Sequence, residues 1–233
     1  MPYRRLPNTD KARIRSLETA ITRMRYSDFY APVLTPELSS KAEKKLQQFK
    51  DAVDRYTKSL DSQVSYSKSE PYQTRLKNAK MYVSHFLTVF NLCVKRGEIK
   101  VQDREYYSIP LESGELPDMS SEISVIRCCE NAIQGEKTRT SKGGIPIYNP
   151  TIAKVNVHYE LFRELYDKQC ELRQQTDEAL MVVSLMRPQI DEIILDVWNS
   201  IESYFSKLEG EKKINTCREY GVIYYYRSGE KTD

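Results

Sequence analysis

Apolar residues recur three and four positions apart along most of this chain, and that rhythm is rarely broken. Ile14, Leu17, Ile21 and Met24 form a first stripe, preceded by Asn8, Thr9 and Asp10, any of which can cap a helix start. This helix is expected to end near Tyr26, ahead of Pro32 and Pro36. A second stripe runs through Leu38, Ala42, Leu46, Phe49, Val53, Tyr56, Leu60 and Val64. It opens on Thr35-Pro36, a cap residue and a proline whose missing N–H costs nothing in the first turn. Ser69-Glu70-Pro71 repeats the start signal, and that helix stops at Gly97 after Lys95 and Arg96. Between 79 and 94 it is apolar on nearly every side, which predicts that other helices surround it.

Residues 98–119 carry no helical pattern. A shorter helix is predicted from about Ser120 to Thr138, with Ile123, Ile126, Cys129 and Ile133 on one face. Asn149-Pro150-Thr151 opens the longest helix, which Pro188 should end or kink near Arg187. A last long helix carries Ile190, Ile193, Ile194, Val197, Trp198, Ile201, Phe205 and Leu208, and a short helical turn follows over 211–220. Val222 to Tyr226 is β-branched and aromatic and reads as a strand. The pattern thus predicts an all-α fold: an antiparallel bundle of five or six helices in one domain spanning 1–233, with an N-terminal arm (1–7), a long loop (98–119) and a C-terminal tail (221–233). An isolated strand leaves backbone groups unpaired, and the irregular stretch 105–109 is its expected partner, within the chain or across a dimer axis.

Composition narrows the function classes. The net charge of +3 is too small for a protein dominated by phosphate binding. The charge is uneven, however. Seven basic side chains face two acidic ones between Arg4 and Arg25, and five acidic face two basic between Arg187 and Glu209. Two helix faces that lie near each other or are simply solvated are the ordinary explanation, and a basic arm for an acidic partner is the sharper one. Cys93, Cys128, Cys129, Cys170 and Cys217 are odd in number and irregular in spacing, which suits reduced thiols in the cytoplasm. No secretory signal is legible, and the most apolar window, 81–94, is too short and too polar to span a bilayer.

The opening Met-Pro-Tyr-Arg-Arg-Leu-Pro-Asn-Thr-Asp, the Val83-Ser84-His85-Phe86 stretch, the loop from Lys142-Gly143-Gly144 to Asn149-Pro150-Thr151-Ile152, and the segments Asp191-Glu192-Ile193-Ile194-Leu195 and Tyr220-Gly221-Val222 carry a resemblance. They resemble a family of bacterial, mainly helical proteins of similar length with no established function. The resemblance implies a single domain of bacterial origin and transfers no site residue.

No motif supplies catalytic chemistry or a cofactor. A di-iron bundle needs Glu-x-x-His on two helices, and neither His85 nor His158 has a glutamate three residues before it. His85 is expected to make a partly buried polar contact, and His158 to sit at a helix boundary. Ser65 and Lys68 satisfy Ser-x-x-Lys only at chance level, and Gly143-Gly144 lacks the spacing of a phosphate loop and reads as a turn. In the longest helix the seam turns polar at Gln169, Arg173 and Thr176, either as a solvated face or as a polar layer or pocket.

Tyrosine is the compositional outlier, at 17 against 6 phenylalanines. Tyr106, Tyr107, Arg218, Tyr220, Tyr224, Tyr225, Tyr226 and Arg227 are the candidate interaction surface, because tyrosine offers an apolar ring and a wet hydroxyl. The leading expectation is a non-catalytic helical protein that acts through protein–protein contact or self-association, with a homodimer as one form and no membrane involved. The alternative is a nucleic-acid-binding accessory protein using the basic N-terminal segment and the Tyr/Arg clusters. The third is an enzyme whose pocket is not recognisable from sequence.

Overall fold

The computed structural model describes residues 2–25 and 33–226. Among them the elements run β1 (Tyr3–Arg4), α1 (Asp10–Arg25), α2 (Pro36–Lys68), α3 (Glu70–Lys95), a 3-10 helix (Val101–Tyr107), α4 (Glu122–Ser141), α5 (Ile152–Tyr204), α6 (Gly210–Glu219) and β2 (Tyr224–Tyr225). The fold is all-α apart from the two-stranded ribbon. The expected end of the first helix at Tyr26 lies outside the described residues. Contacts gather the chain into two compact units, Met1–Leu60 with Gln175–Asp233, and Asp61–Gln174. Both divisions fall within a helix, α2 and α5.

In the first unit the caps match the sequence. Thr9 Oγ1 accepts from the Ala12 N–H at 3.2 Å, and Thr35 Oγ1 from the Leu38 N–H at 3.3 Å, so each helix start has one orphan donor satisfied. Leu17 and Ala20 of α1, Ala42 and Phe49 of α2, and Ile193, Val197 and Ile201 of α5 share one core with Cys217 and Val222. The buried Trp198 indole donates to Ser16 Oγ at 3.2 Å, and that hydroxyl donates on to the Gly221 carbonyl at 3.0 Å. Gly221 has φ +85°, and a Cβ there would stand 2.6 Å from the Ser16 carbonyl oxygen, so only glycine fits.

The uneven charges meet within this unit. Arg13 forks onto Asp191 at 2.8 and 3.0 Å, and Arg187 forks onto Asp10 at 2.9 and 2.8 Å. Arg4 lies 3.4 Å from Glu202. The basic start of the chain and the acidic stretch of α5 are therefore neighbouring faces. Two forked pairs also fix the angle of α1 against α5 more narrowly than apolar packing does.

Two expectations need correction here. The terminal strand pairs with the N-terminal arm, not with 105–109: Tyr3 is opposite Tyr225 and Arg4 opposite Tyr224, antiparallel. Residues 101–107 are a 3-10 helix, so their backbone groups are not available to a strand. Pro188 does not end α5, which continues to Tyr204. An interior proline costs about 3 kcal/mol. Val183 and Ile190, buried on either side of it in the same core, supply the packing that offsets this.

In the second unit α3 buries Tyr72, Val83, Phe86, Leu87, Phe90 and Val94, but Thr88 and Leu92 are exposed, so the helix has one open side and is not surrounded as its apolar coverage led one to expect. His85, however, is exposed, and His158 lies inside α5 with its ring stacked on Tyr82 at 4.0 Å. The Ser121 hydroxyl and Ser124 cap α4 reciprocally. Its buried face is turned from the predicted one: Ile126 and Cys129 are inside with Val125, Cys128 and Ala132, while Ile123 is exposed. Gly135 sits mid-helix because a Cβ there would stand 2.5 Å from the Tyr106 carbonyl oxygen. The polar break in α5 is mixed. Gln169 in this unit and Thr176 in the other are buried, whereas Arg173 is exposed.

Candidate functional site

Of the residues singled out for their tyrosine and arginine chemistry, several are not at the surface. Tyr106 and Tyr107 belong to the second unit, and Arg218, Tyr220, Tyr224, Tyr225 and Tyr226 to the first. Tyr107 is fully buried, and its hydroxyl donates to Glu136; burial, with that bond, pushes the phenol above its ordinary pKa and keeps it neutral. Tyr220 is buried against Phe205, with ring centroids 5.3 Å apart. Tyr224 is half-buried and donates to Glu202. Among the described ones Arg218 and Tyr225 are exposed, Tyr225 beside Tyr3 and with the Arg5 guanidinium 6.0 Å from its ring. The Arg218 guanidinium lies 5.5 Å from the Tyr226 ring. Arg227 lies outside the described residues.

The residues that build a concave site instead follow α4. Its last turn ends at Ser141, and Gly143, at φ +90°, turns the chain back. The carboxylate of Glu136 and the guanidinium of Arg139, one helical turn apart and both buried, pair at 2.9 Å. Arg139 also donates to the Ile145 carbonyl at 2.8 Å, and Glu136 accepts the Ile147 N–H at 3.0 Å. A buried charge persists only when paired and hydrogen-bonded, and here both conditions hold. The pair thus acts as a clamp on the 143–149 loop. Gly144 lies against it so closely that a Cβ would stand 2.7 Å from the Arg139 guanidinium.

The clamped loop forms one wall of a cleft of about 730 Å³. Val89 and Cys93 of α3 form another wall, with Glu98, Ile99, Lys100, Asp103 and Tyr106 from the segment that follows. Lys142 Nζ donates to the Tyr106 hydroxyl at 2.7 Å. On the rim Ile145 and Tyr148 are each 75% exposed, although both belong to a loop held by a buried ion pair. Sequence reasoning missed this site. The available signal was an apolar Ile-Pro-Ile-Tyr run directly after two glycines, in a loop where polar residues are the rule.

A second feature lies on the first unit's part of α5. Met181 is 64% and Leu185 62% exposed, with Val182 and Pro188 also exposed on that side of the helix. Positions 181, 182, 185 and 188 follow helical spacing, so they make one stripe. Among the described residues no group of three or more His, Cys, Asp or Glu side chains is placed to hold a metal ion, and no helix is long and apolar enough to cross a membrane. The five cysteines are free thiols.

No family model, no curated protein and no solved structure matches the chain.

Proposed function

We propose that this is a non-catalytic helical protein that works through protein–protein contact, by self-association along α5. The observation that carries this reading is the exposed apolar stripe Met181–Val182–Leu185–Pro188. A second copy is the occupant its sequence suits best. In an antiparallel two-fold contact centred between Val183 and Ser184, Val182 faces Leu185, Met181 faces Met186, Ala179 faces Pro188, Glu178 faces Gln189 and Gln175 faces Glu192. Within these pairs apolar residues meet apolar ones and no like charges oppose; one turn beyond them Glu171 stands opposite Asp196, the one like-charge pair of this register.

Complete burial of a Val, Leu or Met side chain contributes about 1.5–3 kcal/mol, and 46% of Val182, 62% of Leu185 and 64% of Met181 are exposed here. Six such side chains from two copies give about 5–10 kcal/mol, against an association cost of about 4–15 kcal/mol. The dimer is accordingly weak, micromolar or weaker. Sedimentation across tens to hundreds of micromolar should show a monomer–dimer equilibrium in the wild type and a monomer in Leu185→Glu with unchanged circular dichroism. A wild type that stays monomeric throughout, or a Leu185→Glu variant that dimerises equally well, sinks the proposal.

The nucleic-acid reading has less support. Arg4, Arg13, Arg23 and Arg25 already have carboxylate partners in Glu202, Asp191, Glu219 and Glu43, and phosphate would have to compete with them. Free thiols at every cysteine favour a reducing compartment, in keeping with a cytoplasmic bacterial protein.

A further inference from the structure

The cleft beside the 143–149 loop is a site independent of the α5 stripe, and its chemistry differs. Two of its charges are already spent. Arg96 takes Glu98 at 2.7 and 3.1 Å, and Glu136 takes Arg139. What remains on the lining is Lys100, Lys142 and Asp103, two cations against one anion. Neither lysine has a carboxylate partner among the described residues; the Lys142 ammonium donates to a neutral phenol, that of Tyr106. Carbonyls at the ends of α3 and α4 would repel an anion if they were free. They are occupied by the N–H groups of Arg96, Gly97 and Glu98 and of Lys142, Gly143 and Gly144. The rest of the wall is apolar or aromatic, with Ile99, Ile145 and Pro146 facing the same space as Tyr106 and Tyr148. A volume of about 730 Å³ falls within the usual range for small-molecule sites. The Glu136–Arg139 clamp prepays much of the ordering that a loop would otherwise undergo on binding.

We infer that this cleft binds a small planar organic anion, with its acid group on Lys100 and Lys142, its ring against Tyr148 and the Ile145–Pro146 wall, and a ligand donor to Asp103. The shared chemistry is one acid group on one flat body. Phosphate and carboxylate are both sources of it, and the test separates them.

The probe is 8-anilinonaphthalene-1-sulfonate, whose fluorescence reports an anion on an aromatic body. Adenosine monophosphate, 1-naphthoate and neutral 1-naphthol serve as competitors. Cys93 lies in the cleft wall while Cys170 is exposed elsewhere, so site-resolved alkylation locates the bound probe. The wild type should bind the probe at a saturable site, with Cys93 protected and Cys170 not. Displacement by adenosine monophosphate assigns a phosphate ligand, and displacement by 1-naphthoate a carboxylate. The Lys100→Ala/Lys142→Ala double variant changes two exposed side chains and should keep the melting temperature while losing roughly tenfold or more in affinity. Asp103→Asn removes the one opposing charge and should tighten anion binding, an effect that loss of structure would not produce. The inference is overturned by absent or unsaturable binding, by unprotected Cys93, by displacement with 1-naphthol alone, by displacement with none of the competitors, or by a double-lysine variant that binds as well as the wild type.

Discussion

Replacing Arg139 with methionine removes the cation from a buried pair and leaves the Glu136 carboxylate uncompensated. Glu136 is 2% and Arg139 4% exposed, so water cannot take the lost partner's place. Glu136 would retain two neutral donors, the Tyr107 hydroxyl and the Ile147 N–H. Breaking a buried pair from one side costs about 3–5 kcal/mol, because the remaining charge still bears its desolvation. For a chain of this size that corresponds to a fall in Tm of roughly 10 °C. Adding Glu136→Gln to Arg139→Met removes the stranded charge, while the amide oxygen still accepts from the Ile147 N–H and the amide NH2 takes the other carboxylate position, where it can donate to the Tyr107 hydroxyl oxygen. The double variant should then lie within about 1–2 kcal/mol of the wild type, since neutral replacement of a buried pair is often tolerated. The second mutation is thus expected to rescue the first. Urea unfolding gives the free energies, and hydrogen exchange at the Ile147 amide tests the clamp itself, with faster exchange in Arg139→Met. If Arg139→Met costs less than about 1 kcal/mol, or if the two changes add, the pair is not the buried clamp described above.

Three further expectations concern other parts of the chain. Gly135→Ala should destabilise, although alanine in a helix is ordinarily worth about 1 kcal/mol over glycine, because its Cβ would meet the Tyr106 carbonyl; a raised Tm would refute the close approach. Burial pushes the Cys129 thiol from 9.0 up to about 12, so the unfolded chain loses this proton first. Stability is then full below about pH 9 and declines as pH rises towards 12, and a urea midpoint unchanged between pH 7.5 and 10.5 would contradict this. Truncation after Gly221 removes the buried Val222 and the Tyr224–Glu202 bond, and should cost about 2–4 kcal/mol in a thermal melt; an unchanged melt would show that the tail contributes nothing.

Much of this architecture was legible in local chemistry. Thr35-Pro36 and Ser69-Glu70-Pro71 mark helix starts whatever surrounds them, and eight apolar positions at helical spacing from Leu38 to Val64 leave only a helix. What was not legible depends on residues distant in sequence. Tyr3–Arg4 is too short to show any period, so nothing in its own pattern marks it as the partner of Tyr224–Tyr225. Pro188 reads as a stop unless one knows that Val183 and Ile190 enter the same core. Glu136 and Arg139 look like an ordinary solvated pair at helical spacing, and only the returning loop buries them. The cleft was hidden for the same reason, since its lining comes from α3, the 98–106 segment and the turn after α4.

The order of the chain through its two units sets a timetable for biosynthesis. Residues 61–174 are contiguous and have all their partners as soon as they are made. The first unit is split, and Leu17, Ala20 and Phe49 complete their core only when Ile193, Val197, Trp198 and Val222 have been synthesised. At about 5–20 residues per second, the intervening 61–174 stretch alone delays that meeting by on the order of ten seconds. Throughout that interval the apolar faces of α1 and the start of α2 lack the cover that α5 and the 217–222 segment supply. The ion pairs from Arg13 to Asp191 and from Asp10 to Arg187 cannot orient them either, because the α5 half of each pair does not yet exist. The nascent chain therefore carries its earliest-made helices as its last to be finished.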